Sequence, residues 1–254
     1  MKRLLARLVN SALRPLDMHL LPGWELRTLK TNNPRLELFL RLSKRGFKPT
    51  HVVDVGAHKG QWSLDAHQVF PGCAFTLVEP LAEMKPYLDR ACQELKRAKW
   101  VQAGAGESNG TLEFTVQPHL YAASSFSVPE GVAREQGLER RSVPVVTVDS
   151  LCEQSEYPTP EVVKIDAEGL DLAVMRGARK LIGVTELFFL ETPLVPGTSD
   201  QTFHSMVEFM KANGYEPYDF TEFVRDPGDG TLGAVEIAFA RREGYLRSTY
   251  RSNW

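Results

Sequence analysis

From His51 onward, short apolar runs alternate with amphipathic stretches, and no other feature constrains the fold of this chain as strongly. An apolar run of about four to eight residues bounded by turn residues suits a strand buried on both faces. An amphipathic stretch between two such runs suits a crossover helix. The runs are His51–Val55, Ala74–Val78, Trp100–Ala103, Glu161–Ile165 and Thr185–Leu190. Helical stretches lie between them at Gly60–Val69, Leu81–Arg97 and Leu170–Leu181, and a further one at Phe203–Asn213 stops at Gly214. Tyr215–Phe220 and Ala234–Ala240 close the series as a hairpin-like pair. The alternation predicts an α/β fold, a Rossmann-like sheet of about seven strands with helices on both faces.

Two regions depart from this rhythm. Between Gly104 and Asp149, Thr111–Val116 and Val143–Val148 are expected strands, while Pro118–Arg141 has the composition of a long binding loop. Residues 1–47 are expected to be a helical extension broken at Pro15, Pro22 and Pro34, with the α/β domain spanning 48–254. Within that extension Pro34–Arg45, ending at Gly46, is expected to be a helix covering the sheet. The first 14 residues set Lys2, Arg3, Arg7 and Arg14 against Leu4, Leu5, Leu8, Val9 and Leu13. A helix docking on the domain or a partner is the favoured expectation, and peripheral membrane contact stays open.

Bulk properties narrow the partners. A net charge of -2 does not advertise nucleic acid as a partner, and 43% hydrophobic residues can build a sizeable core. Cys73, Cys92 and Cys152 form no CxxC pair and are odd in number, which suits a reducing, cytoplasmic compartment. The six histidines show no HxxxH or HExxH spacing, so no zinc site is expected. No apolar run is long enough to predict a membrane span. Oligomeric state is left open.

The chemistry concentrates at strand ends. In VVDVGAHKG, residues 52–60, an apolar strand ends at Asp54, and Gly56 and Gly60 bracket the turn into a helix. Such a turn offers backbone N–H groups to a carboxylate, and the strand-end acid can meet an ammonium. A tight turn with no ligand has the same sequence. In FTLVEP, Glu79 ends the second strand one βαβ repeat later, where a carboxylate can accept hydrogen bonds from both hydroxyls of a ribose. Together the two motifs point to an adenosine ligand. A dinucleotide fold wants G-x-G-x-x-G against its pyrophosphate, whereas this chain has Gly56-x-x-x-Gly60. The expectation therefore moves from NAD to S-adenosylmethionine, which has no phosphate. Gly104, after the third strand run, is grouped with these cofactor residues.

Further strand ends carry VVKIDAEG, residues 162–169, and LFFLET, ending near Glu191. Asp166, Glu168 and Glu191 are placed at the rim where open α/β sheets bind ligands. Lys164 shares the Asp166 face of its strand. A buried lysine between acids is equally the pattern of a structural ion pair.

These motifs, with VVTVDSL at 145–151, stand in the order and spacing of FkbM-type methyltransferases, which the chain resembles over about residues 48–240. The resemblance implies a class I methyltransferase domain using S-adenosylmethionine, with a hydroxyl of a sugar, polyketide or similar small metabolite or glycan as acceptor. Members commonly carry Asn where this chain has His58. The region 104–150 and the N-terminal helices would then build the acceptor pocket. Asp166 is the first expected base, Glu168 and Glu191 are alternatives, and Lys164 holds the group electrostatically. A divalent cation on these acids is possible but not favoured. An NAD-linked oxidoreductase and a catalytically silent cofactor-binding protein are the competing expectations.

Overall fold

The computed structural model describes residues 18–20, 26–28, 33–118, 124–126, 128–194 and 201–249. Strands β1 (Met18–Leu20) and β2 (Leu26–Thr28) pair antiparallel, where the sequence suggested helix. Pro22 and Gly23 lie between them in the sequence, and that dipeptide favours a turn over helix continuation. The amphipathic stretch at residues 1–14 lies outside the described residues.

Helix α1 (Pro34–Lys44) begins where its signals place it. The Asn33 side chain accepts the Leu36 amide at 3.0 Å, and Pro34 occupies a first-turn position that has no intrahelical amide bond to lose. Its Leu38, Phe39 and Leu42 are buried. The alternation then unfolds as β3 (His51–Val55), α2 (Gln61–Val69), β4 (Ala74–Val78), α3 (Lys85–Leu95) and β5 (Ala98–Val101).

The irregular stretch has more structure than its composition suggested. Strands β6 (Gly104–Ala105), β7 (Gly110–Val116) and β8 (Glu139–Val146) form a separate sheet in the order β6-β8-β7. A short helix, α4 (Glu130–Glu135), lies within the expected loop, and α5 (Val148–Glu153) follows. Strand β8 starts earlier than expected, because Glu139–Ser142 pair with Glu113–Val116 although they carry charged side chains. Here cross-strand pairing overrides β-propensity.

The main series resumes with β9 (Val162–Ile165), α6 (Asp171–Arg176), β10 (Leu187–Pro193), α7 (Phe203–Ala212), β11 (Tyr215–Arg225), β12 (Leu232–Arg241) and α8 (Tyr245–Ser248). The seven-stranded sheet runs β11-β12-β10-β9-β3-β4-β5. From β10 to β5 its neighbours are parallel, and β12 runs antiparallel to both β10 and β11.

Adjacent residues of one strand enter opposite cores, as a period of two requires. Val52, Leu77 and Phe189 belong to the cluster formed with α1, α2 and α3, including Phe39, Trp62 and Leu88. Val53, Val78 and Phe188 belong to the other, with Val174, Met206 and Met210 from α6 and α7. Strand order reverses between β3 and β9, so their carboxyl ends open a crevice at that point.

Candidate active site

The crevice is built from backbone first. Gly56, with φ +71°, follows β3 and sits under the loop after β9. A Cβ there would lie 1.8 Å from the Asp166 carbonyl oxygen, so glycine is needed for the two loops to pass. His58 is also left-handed, with φ +47°, and its backbone N–H donates to Glu79 Oε2 at 2.8 Å. The Leu81 amide donates to Glu79 Oε1 at 3.0 Å. Glu79 is thus buried with each oxygen anchored. Burial raises its pKa, against the lowering effect of those two backbone donors.

A cavity of about 170 Å³ opens here, lined by Gly56, His58, Glu79, Gly104, Phe126, Asp166 and Glu168 among others. Its wall is mostly apolar, with Val55, Val78, Leu81 and Phe114 contributing. Among its described lining residues are three carboxylates and no lysine or arginine. Ser124 and Phe126, from the stretch expected to build an acceptor pocket, wall the same cavity as Glu79.

The structure separates the cofactor candidates into two groups. Gly56, Glu79 and Gly104 line the cavity. Asp54 and Gly60 do not. Asp54 is fully buried, accepts the Ser63 hydroxyl at 2.7 Å and lies 3.4 Å from Lys164 Nζ. A Cβ on Gly60 would lie 2.9 Å from Ala91 Cβ, so its bareness lets α2 and α3 approach.

Lys164 is the cation beneath the site. Its Nζ donates to the Gly56 carbonyl at 2.7 Å and lies 3.3 Å from Asp166 Oδ2. Burial opposes its charge, and the carboxylates of Asp166 and Asp54 more than compensate, so its pKa is raised. The ammonium therefore ties β3 and β9 together as a buried ion pair.

Asp166, Glu168 and Glu191 do converge: each offers a carboxylate oxygen, all within 4.8 Å of one another. Burial and the charges of Asp166 and Asp171 push Glu168 up to about 8. Glu191 is raised by burial, then by the neighbouring charges of Asp166 and Glu168. Three hard oxygen donors at this separation are an arrangement that a divalent cation would accept. Asp166 also lines a second, smaller cavity with Glu191, Glu222, Val224 and Glu236. Glu191 and Glu236 are direct partners across β10 and β12, so this cavity is acidic as well.

Sequence inspection passed over three contributors. Asp171 is completely buried, takes a hydrogen bond from Gln201 at 2.9 Å, and is raised to about 7 by burial and by Asp166. Its position two residues past the VVKIDAEG motif was the available signal. Arg35 of α1 reaches Glu236 at 3.2 Å and Glu222 at 2.5 Å, pairing with two of the acids that line the second cavity. Nothing local to Pro34–Lys44 marks that contact. Phe126 likewise sits in a stretch without a motif.

Among the many solved structures that resemble the chain, two illustrate the low identity. The precorrin-6y C5,15-methyltransferase of Geobacter metallireducens aligns at TM-score 0.43 and 13% identity, covering 81% of this chain and 87% of that one. The 1,6-didemethyltoxoflavin-N1-methyltransferase of Burkholderia thailandensis, with S-adenosylhomocysteine bound, aligns at TM-score 0.42 and 13% identity, covering 83% and 80%. No curated protein matches the chain. The methyltransferase FkbM domain matches residues 54–217, which contain the Gly56 turn, Glu79, the inserted sheet and the Asp166 loop, and the chain belongs to that methyltransferase family.

Proposed function

We propose that the protein is an S-adenosylmethionine-dependent O-methyltransferase acting on a hydroxyl of a small metabolite or glycan, such as a sugar or polyketide. The lining of the larger cavity carries this reading. A mostly apolar wall suits an adenosine, and the buried Glu79 carboxylate suits ribose hydroxyls. Three acids with no described lysine or arginine suit a cationic sulfonium, whose charge favours their ionised forms, and oppose the pyrophosphate of a dinucleotide. This disfavours the NAD-linked alternative.

Bound S-adenosylmethionine supplies an already activated methyl group. The protein then has to align an acceptor hydroxyl and take its proton. Alignment of two reactants can contribute about 7–11 kcal/mol. Asp166 is the residue that lines both cavities, so it stands between cofactor and acceptor. It is the base in this reading, oriented by Lys164 and flanked by Glu191. Glu168 and Glu191, held above the usual carboxylate range, serve less well because they are protonated near neutral pH.

Titration calorimetry with S-adenosylhomocysteine, then with NADH, tests the cofactor assignment. A screen of hydroxylated acceptors with methyl-labelled cofactor tests the reaction. Tight binding of S-adenosylhomocysteine and label transfer to oxygen are the expected results. NADH binding without S-adenosylhomocysteine binding overturns the first, and label on nitrogen or carbon overturns the second.

A further inference from the structure

Residues 124–126 are tied to the site at three points. The Ser124 hydroxyl accepts the Gln117 amide at 2.8 Å. Ser125 exchanges both backbone hydrogen bonds with Thr115 of β7, at 2.9 and 3.0 Å. Its hydroxyl donates to the Glu168 carbonyl at 2.9 Å. This strip therefore bridges the inserted sheet and the Asp166 loop across the larger cavity.

Phe126 projects from the strip onto Gly104. A Cβ on Gly104 would lie 2.4 Å from the tip of the Phe126 ring, so that glycine is the seat of the ring. The ring of Phe114 meets it edge-on, with centroids 4.6 Å apart and planes at 61°. Phe114 is buried and Phe126 half-buried, and both line the cavity. The aromatic pair is thus held at the carboxyl end of β5, beyond Glu79 as counted from the Gly56 turn.

Resting on the cofactor reading above, we propose that Phe126 is the residue on which the adenine of the cofactor stacks. If the amino-acid tail lies at Gly56 and the ribose at Glu79, the base extends towards β5 and Gly104. An adenine face is apolar and polarisable, and a fixed aromatic ring is its natural partner. Phe114 sets the orientation of Phe126 from behind. The inserted sheet, not the seven-stranded one, then supplies the base-recognition wall. Its hydrogen bond to the Glu168 carbonyl positions that wall relative to the methyl end.

The test is calorimetry on the full chain with S-adenosylhomocysteine and with 5′-methylthioadenosine, which keeps base and ribose but lacks the tail. Phe126→Ala should weaken both ligands alike, by about tenfold or more, the scale of one lost base–aromatic stack. Phe126→Tyr should retain wild-type affinity within about threefold. Phe126→Leu, which keeps apolar bulk without a ring, should fall with the alanine variant. Circular dichroism confirms folding in each. Full affinity in Phe126→Leu, or in a folded Phe126→Ala, overturns the stacking role. Failure of the wild type to bind either ligand instead overturns the cofactor assignment, and this inference with it.

Discussion

The Asp166 carbonyl oxygen lies where a side chain on Gly56 would begin: a Cβ built there comes within 1.8 Å of it. One glycine thereby lets the loops after β3 and β9 cross, and the Lys164 ammonium, donating to Gly56 O, fastens that crossing. Gly56→Ala cannot be absorbed by a rotamer change, because both clashing partners are backbone. A non-glycine residue at φ +71° adds a cost of about 1–3 kcal/mol. Differential scanning calorimetry should show Tm lower by about 5 °C or more. An unchanged Tm would show that the crossing is looser than described.

Glu79 anchors the His58 and Leu81 amides while facing the cavity. Glu79→Gln keeps the side-chain shape and one acceptor oxygen but removes the charge. Charge-assisted hydrogen bonds contribute about 1.5–3 kcal/mol each. Affinity for S-adenosylhomocysteine should therefore fall by about tenfold or more in a folded variant. Unaltered affinity by calorimetry would remove Glu79 from the ribose site.

Asp166→Asn should lower turnover by about 100-fold, since general-base catalysis contributes roughly 10²–10⁴-fold. Affinity for S-adenosylhomocysteine should change little. Wild-type turnover should be indifferent to EDTA. Loss of turnover on chelation, with recovery on added magnesium, would assign the carboxylates at Asp166, Glu168 and Glu191 to a metal instead.

Stability should fall as pH rises above neutrality. Glu168 titrates at about 8 in the folded protein, raised by burial and by neighbouring acids, against about 4.3 in an unfolded chain. The folded state therefore keeps a proton that the unfolded state has released. That contribution is complete below the unfolded value and is lost as pH rises through about 8. Burial lowers His51 and His58, so neither charges in this range. Tm measured from pH 7 to 9 should decline, with Glu191, raised to about 9, carrying the decline above pH 8, and Glu168→Gln should make the slope below pH 8 shallower. A variant with the wild-type slope below pH 8 would show that Glu168 does not contribute to it.

Much of this was legible in the sequence because burial alternation is a local property. The apolar runs place β3, β4, β9 and β10 nearly to the residue, although β10 runs on to Pro193 and so carries Glu191 inside the strand. The strand-end acids fall at the rim for the same reason: a parallel series of βαβ units brings every carboxyl end to one side.

What each of those residues does there was decided by the tertiary structure. Asp54 and Glu79 both belong to strand-end motifs, yet Asp54 lies inside β3 beside Ser63 and Lys164, and Glu79, just past β4, faces the cavity. Gly60 serves the packing of α2 against α3, because Ala91 lies where its Cβ would stand. Glu191 meets Asp166 because β10 lies beside β9, and Phe126 meets Gly104 because the 124–126 strip pairs with β7, in the same inserted sheet as β6. Sequence periodicity fixes which face of an element is buried and in what order elements come. Contacts between residues far apart in the chain depend on strand adjacency and on the exact path of loops, which no local pattern encodes.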